Sequence, residues 1–143
     1  KYIISSWKSR GIVSYDFDKT YERFLNTTHC DKCFIRLILD NNCSSKKCLD
    51  HDHSIIDSHN VRNVLCHNCN VNDNSRNKSG NPNIRWLQNN KKWIYRRVWN
   101  GIKYYGSFIT FIEACIYKKQ IEEKHIENNK QIMIKELYQE RNS

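Results

Sequence analysis

At 143 residues, 38% of them hydrophobic and only one a proline, the chain has the length and composition of one compact domain or two small ones, not of a disordered protein. No apolar run approaches the roughly 18 residues of a membrane span. No signal peptide is visible, but the sequence starts at Lys1 without Met, so this leaves open whether a targeting segment precedes it. The net charge of +9 is concentrated between residues 83 and 121, where 8 basic and 1 acidic side chains alternate with Trp and Tyr. This composition favours a nucleic-acid surface, although a solvated basic face would share it.

The first predicted elements are a helix over residues 15–25 and a strand over residues 34–40. The apolar residues of the helix recur at i, i+4, i+7 and i+8, which places them on one face: Phe17, Tyr21, Phe24 and Leu25. Asp16 or Ser14 is the predicted N-cap.

Two CxxC pairs predict a structural zinc site. Cys30 and Cys33 form the first pair, Cys66 and Cys69 form the second, and 32 residues separate them. Tetrahedral zinc is commonly held by two such pairs, and thiols kept for metal binding indicate an intracellular reducing compartment (cytoplasm, nucleus or virion). Cys43 and Cys48 lie between the pairs, so either could replace one ligand.

A hairpin and a helix are predicted between and after these pairs: strands at 48–53 and 61–66, then a helix through Asn70 toward Arg76. The first strand carries Asp50, His51 and His53. A carboxylate and an amide oxygen suit a hard divalent cation, and an imidazole can accept a proton near neutral pH. The alternative is a polar turn without chemistry.

The motif "KCLDHDH…VRNVLCHNCN", preceded by "CDKC", resembles the HNH (ββα-metal) nucleases, and most closely the endonuclease VII group, over about residues 15–72. The resemblance implies that Asp50 and Asn70 bind a catalytic Mg²⁺, for which Mn²⁺ can substitute, and that His51 is the general base. It assigns His53 to the phosphate or the leaving group. The family also has an Asn that orients the base, and both Asn60 and Asn63 lie near the expected place.

A turn-rich stretch at 78–83 predicts a boundary between modules 1–80 and 81–143. The second module is predicted to contain strands at 84–88, 92–99 and 102–108, with Asn100-Gly101 as a hairpin turn. A capping box at Thr110 opens a helix to about Lys124. Asn128-Asn129 is a predicted weak point before a last helical segment that ends near Arg141.

The spacing "KW…NG…YYGSF…EA" resembles the small DNA-binding domain of plant ethylene-response factors, which also accompanies HNH homing endonucleases. The resemblance implies that the sheet enters the major groove and the helix braces it. Basic and aromatic side chains on the strands are the predicted DNA contacts: Arg85, Lys92, Arg96, Arg97, Lys103 and Tyr105. Arg96 and Arg97 point to opposite faces, so at most one of these two can lie on the recognition surface.

Together these features predict an α+β protein in which a zinc-stapled HNH (ββα-metal) nuclease module precedes a small three-stranded sheet plus helix. The expected function is that of a Mg²⁺-dependent endonuclease of homing type, acting on double-stranded DNA. A junction resolvase is the enzymatic alternative, and it requires a homodimer, for which the helix over 111–141 could supply the interface. A non-catalytic zinc DNA-binding protein with a relic site is the alternative from another class.

Overall fold

The computed structural model describes residues 2–39, 43–73 and 81–143 and has an α+β architecture. Its elements in chain order are α1 (Tyr2–Ser9), α2 (Phe17–Asn26), β1 (Lys47–His51), β2 (Val61–Cys66), α3 (His67–Asp73), β3 (Ile84–Leu87), β4 (Lys92–Trp99), β5 (Ile102–Phe108) and α4 (Phe111–Arg141). Strands β1 and β2 form an antiparallel hairpin, and β3, β4 and β5 form a separate antiparallel sheet in that order. No helix in the described ranges is both long enough and apolar enough to cross a bilayer.

Helix α1, which the sequence pattern did not predict, packs on α2. Trp7 of α1 is buried and meets the ring of Phe24 edge-on at a centroid distance of 5.1 Å. Helix α2 itself was predicted, and of the two predicted N-caps, Asp16 and Ser14, Asp16 caps it: the Asp16 carboxylate accepts hydrogen bonds from the backbone N–H groups of Asp18 and Lys19. This satisfies two of the amides that a helix start leaves unpaired.

The predicted strand over 34–40 is wrong for the part of it that is described, since residues 34–39 form only isolated bridges at Arg36 and Ile38. The backbone there instead hydrogen-bonds to Cys30 in the turn of the first cysteine pair. Phe34 has a φ of 64° and donates its N–H to Cys30 O, while Cys30 N–H donates to Ile35 O. The turn that closes the cysteine pair therefore bends the chain where a strand would need extended backbone.

The turn that joins β4 to β5 in the second sheet forms as its residues predicted. Asn100 and Gly101 both have positive φ, 50° and 82°, as a two-residue hairpin turn of type I′ requires. Thr110 caps α4, because its Oγ1 accepts from Glu113 N–H and donates to the Glu113 carboxylate. Helix α4 packs on this sheet over a small core of Ile84, Tyr95 and Ala114.

The predicted break at Asn128-Asn129 is wrong, because α4 runs through it without interruption for 31 residues. Asn129 is buried, and its side-chain amide donates to Cys33 O at 2.8 Å. That tertiary bond compensates for the low helix propensity of asparagine. The second half of α4 thus lies against the segment that holds the cysteines.

The two predicted modules share contacts. Trp99, from β4, is fully buried in the same core as Trp7, Phe24 and Leu65. The predicted boundary borders residues 74–80, which lie outside the described residues, as does the end of the helix predicted to run toward Arg76. The division at 80/81 stays a prediction.

Candidate metal centre and adjacent histidine site

Four cysteines form a buried cluster that could hold a metal ion. One sulfur from each of Cys30, Cys33, Cys66 and Cys69 lies within 4.8 Å of the others, and all four side chains are fully buried. They come from the turn after α2 and from the junction of β2 with α3, as the two CxxC pairs predicted. Cys43 and Cys48 lie outside the cluster.

The hydrogen bonding of the cluster favours negative charge on sulfur. The backbone N–H of Cys66 donates to Cys30 Sγ at 3.3 Å, and that of Cys69 donates to Cys66 Sγ at 3.5 Å. Hydrogen bonding with Cys33, and with the other two thiols, lowers the pKa of Cys30, whereas hydrogen bonding with Cys30 raises the pKa of Cys33 and of Cys69. One thiol of the cluster thus loses its proton easily, and binding of a metal cation would displace the protons of the other thiols.

Asn100, from the C-terminal half of the chain, contacts this cluster. The amide of Asn100 lies 3.9 Å from Cys66 Sγ, and its backbone N–H donates to Asn68 Oδ1 at 2.9 Å. His29 is buried but points away, bonded to Thr28 Oγ1 and to Glu136 Oε2. His29 therefore has partners other than the cysteines.

The hairpin that precedes α3 carries an irregularity opposite Asp50. Leu49 pairs with Val64 and His51 pairs with Val61, so two residues of β2 oppose the single residue Asp50. Bulges of this kind commonly redirect a side chain. Here Arg62, one of the two, brings its Nη2 within 2.9 Å of Asp50 Oδ1, and the Asp50 side chain is only 2% exposed.

Next to Asp50, two histidines and Asn70 meet at one cavity. His51 is buried, His53 is exposed, and their ring centroids lie 4.2 Å apart. Both line a cavity of about 770 Å³ together with Asn70, from α3, and His67. Asp50 is not among the lining residues. Burial, followed by the nearby His53, lowers the pKa of His51, so its imidazole is neutral at physiological pH.

The rest of the DHDH stretch is a turn. Asp52 Oδ1 accepts from both the backbone N–H and the hydroxyl of Ser54, and these bonds lower the pKa of Asp52. The interpretation as a polar turn therefore describes Asp52, which the cavity does not include.

Asn60 is a structural residue. Its amide donates to Gly11 O and Ile55 O, and its Oδ1 accepts from Val13 N–H, each at 2.8 Å. These bonds tie the hairpin loop to the segment after α1, and none of the three joins Asn60 to His51. Asn63, the other candidate for that role, is exposed on β2.

Five of the six predicted DNA contacts share one face of the second sheet. Arg85 pairs with Ile94, Arg96 with Tyr105, and Val98 with Lys103. Directly paired residues lie on the same face, and so do alternate residues of a strand. The exposed face therefore holds these five: Arg85, Lys92, Arg96, Lys103 and Tyr105.

Arg97 does not belong to that surface. It is 5% exposed and lies on the opposite face, where its guanidinium stacks over Trp99 at 3.5 Å from the ring centroid. The residue was a predicted DNA contact, and its burial removes it from the set. The sequence placed Arg96 and Arg97 on opposite faces but could not tell which face α4 covers.

Comparison of the chain with protein-family models, with curated proteins and with solved structures finds no match.

Proposed function

We propose that this chain is a zinc-containing, Mg²⁺-dependent endonuclease that hydrolyses phosphodiester bonds in double-stranded DNA, of the HNH class and of homing type. One observation carries the proposal: His51, His53 and Asn70 converge on a single cavity beside the buried Asp50. These are the residues to which the HNH resemblance assigns the chemistry, and the four-cysteine cluster lies at the base of the same hairpin and helix.

Zinc is the metal that best fits the four cysteines. Four thiolates are the donor set of structural zinc sites, and zinc–sulfur bonds of about 2.3 Å place the sulfurs of a tetrahedron about 3.8 Å apart. Cys33 Sγ and Cys66 Sγ lie 3.7 Å apart. We expect one tightly bound zinc ion per chain, with a structural role.

The donors proposed for Mg²⁺ are Asp50 and Asn70. Among the residues that the structure describes, three or more His, Cys, Asp or Glu ligands meet only at the four cysteines. Mg²⁺ is usually held by one or two carboxylates and completes its shell with water and phosphate oxygens. To bind the ion, Asp50 would exchange its ion pair with Arg62, whose Nη2 lies 2.9 Å from Asp50 Oδ1. When bound, the ion would supply positive charge that stabilises the phosphorane-like transition state.

His51 is the proposed general base. Burial lowers the pKa of His51 and keeps its ring neutral, and His51 lines the cavity. In the proposed reaction a water oxygen attacks phosphorus, His51 takes the water proton, and the bond to the leaving oxygen breaks. We assign His53, whose ring centroid lies 4.2 Å from that of His51, to holding the phosphate or protonating the leaving oxygen.

Nicking of plasmid DNA by the zinc-loaded protein tests the proposal. We expect His51→Ala to lower the rate by about 10²–10⁴-fold, because it removes the proton acceptor. Asp50→Ala should be at least as severe, but added Mg²⁺ should partly restore it and should not restore His51→Ala. His59→Ala and Asp57→Ala are matched controls outside the cavity, and both should cut normally.

A near-normal rate for His51→Ala would reject this assignment of the base. Absence of any metal-dependent nicking by the wild-type protein would favour the non-catalytic DNA-binding alternative.

A junction resolvase is the second candidate, and exposed apolar side chains on α4 favour it. Ile134, Leu137 and Tyr138, at i, i+3 and i+4, share one face of α4 and are 54%, 41% and 69% exposed, which suits a helix that pairs with a second copy. Cleavage of four-way junctions in preference to linear duplex, by a protein that sediments as a dimer, would select the resolvase.

A further inference from the structure

Helix α1 forms one wall of the cavity that contains His51. The lining includes residues of α1, the segment before β1, β1 itself and α3, so the cavity is a groove between elements that are distant in sequence. It carries Arg10, Lys46 and Lys47 as cations, and no Asp or Glu among the described residues lines it. A groove with positive charge and no carboxylate suits an anionic occupant.

Two of these three cations are available to that occupant. Lys47 is buried, and its Nζ donates to Phe24 O and Leu25 O at the end of α2, so its charge is committed to the helix terminus. Arg10 and Lys46 form no ion pair with any described residue. Arg10, just after α1, and Lys46, just before β1, both line the groove.

We propose that this groove binds the sugar-phosphate backbone of the DNA strand that is cut, with Arg10 and Lys46 on phosphates next to the scissile one. The proposal rests on the proposed function and extends it, because α1 and Arg10 lie outside the stretch with the HNH resemblance. Tyr2, 95% exposed at the groove, offers a ring on which a base can stack. The strand is thus contacted in the groove, separately from the exposed face of the second sheet.

The test uses the full-length, zinc-loaded protein and a labelled DNA duplex without added Mg²⁺, so that binding is measured apart from cleavage. The variant is Arg10→Gln/Lys46→Gln. The control is Lys8→Gln/Lys19→Gln, which removes the same charge from α1 and α2 at exposed residues that do not line the groove. Circular dichroism and zinc content show whether each variant is folded.

Each lost phosphate contact should flatten the slope of log K against log salt by about 0.9, so the groove variant should lose about 1.8 and the control almost nothing. Equal slopes for the groove variant and the wild type, or equal losses in variant and control, would overturn the proposal. If only the proposed function is wrong, the wild type would not nick DNA, but the groove variant would still show a flatter slope of log K against log salt than the wild type.

Discussion

His125 is a histidine that the fold keeps neutral. It is 2% exposed, stacked on Trp99 at a centroid distance of 3.9 Å, and it bonds Tyr104 OH through Nδ1 and Asn100 Oδ1 through Nε2. Burial, together with the positive charge of Arg97, lowers the pKa of His125 to about 4. A protonated ring would lose the bond that it accepts from Tyr104 and would gain a like-charged neighbour.

Acid should therefore destabilise the protein through His125. The unfolded chain binds a proton near the ordinary pKa of about 6.5, while the folded chain does not until about pH 4, so this contribution is full above that range and is lost as the pH falls. Between about pH 7.5 and about pH 5.5 the loss should be about 1 kcal/mol greater in the wild type than in His125→Gln. Urea unfolding at both pH values, with zinc in excess, measures it; equal losses would contradict the assignment.

At the scale of elements, the second sheet holds its two neighbouring arginines on opposite faces. Arg96 lies on the exposed face with Lys103 and Tyr105, whereas Arg97 lies beneath, against Trp99 and α4. The proposal that the exposed face binds DNA thus makes opposite predictions for two side chains of the same chemistry.

Arg96→Gln should weaken DNA binding and flatten the salt slope by about 0.9 with little change in thermal stability. Arg97→Gln should leave the slope unchanged and lower the stability by about 1–2 kcal/mol, because it removes a buried cation–π stack. Fluorescence anisotropy across a salt series, with thermal melts of both variants, distinguishes them. A flatter slope for Arg97→Gln alone would place the DNA surface on the other face.

Local chemistry explains which elements were predictable from the sequence. The Asn100-Gly101 turn, the Thr110 capping box and the two cysteine pairs each have a short-range signature, and each formed as predicted. The strand over 34–40 and the break in α4 failed because distant contacts decided them. Phe34 follows the turn of the cysteine cluster, and Asn129 is held by Cys33 O.

The sequence motif predicted which residues belong to the candidate site, but it did not predict the side-chain contacts around them. The motif indicated His51, His53 and Asn70, and these three residues line one cavity. The ion pair between Asp50 and Arg62 depends on a bulge in β2, and the wall supplied by Arg10 depends on how α1 packs. Neither of these two contacts is indicated by a periodic pattern or a residue spacing in the sequence.

At the scale of the whole molecule, the cysteine cluster holds both halves of the chain. Trp99 completes the core beside the cysteines, Asn100 contacts Cys66 Sγ, and Asn129 bonds Cys33 O. Because a structural metal and the fold around it form one equilibrium, loss of zinc should affect every element that depends on this core.

Chelation of zinc should therefore unfold β4 and β5 together with residues 30–70, in one transition. Hydrogen exchange of the β4 amides and tryptophan fluorescence measure this, with Cys66→Ser as the equivalent variant and Cys115→Ser as the control that keeps the cluster. Protection of β4 that survives chelation would show that the sheet folds independently.

Helix α4 also has a mechanical consequence. Its 31 residues form an unbroken rod of about 46 Å, which packs on the second sheet near its start and reaches Arg36 through Glu136 and Glu140 near its end. Such a rod holds the second sheet, whose exposed face is proposed to bind DNA, at a fixed distance from the segment with the first cysteine pair, which shares a core with β1 and β2. A flexible tether would scatter the cuts around the recognised sequence, whereas this one should set them at one fixed offset along the duplex.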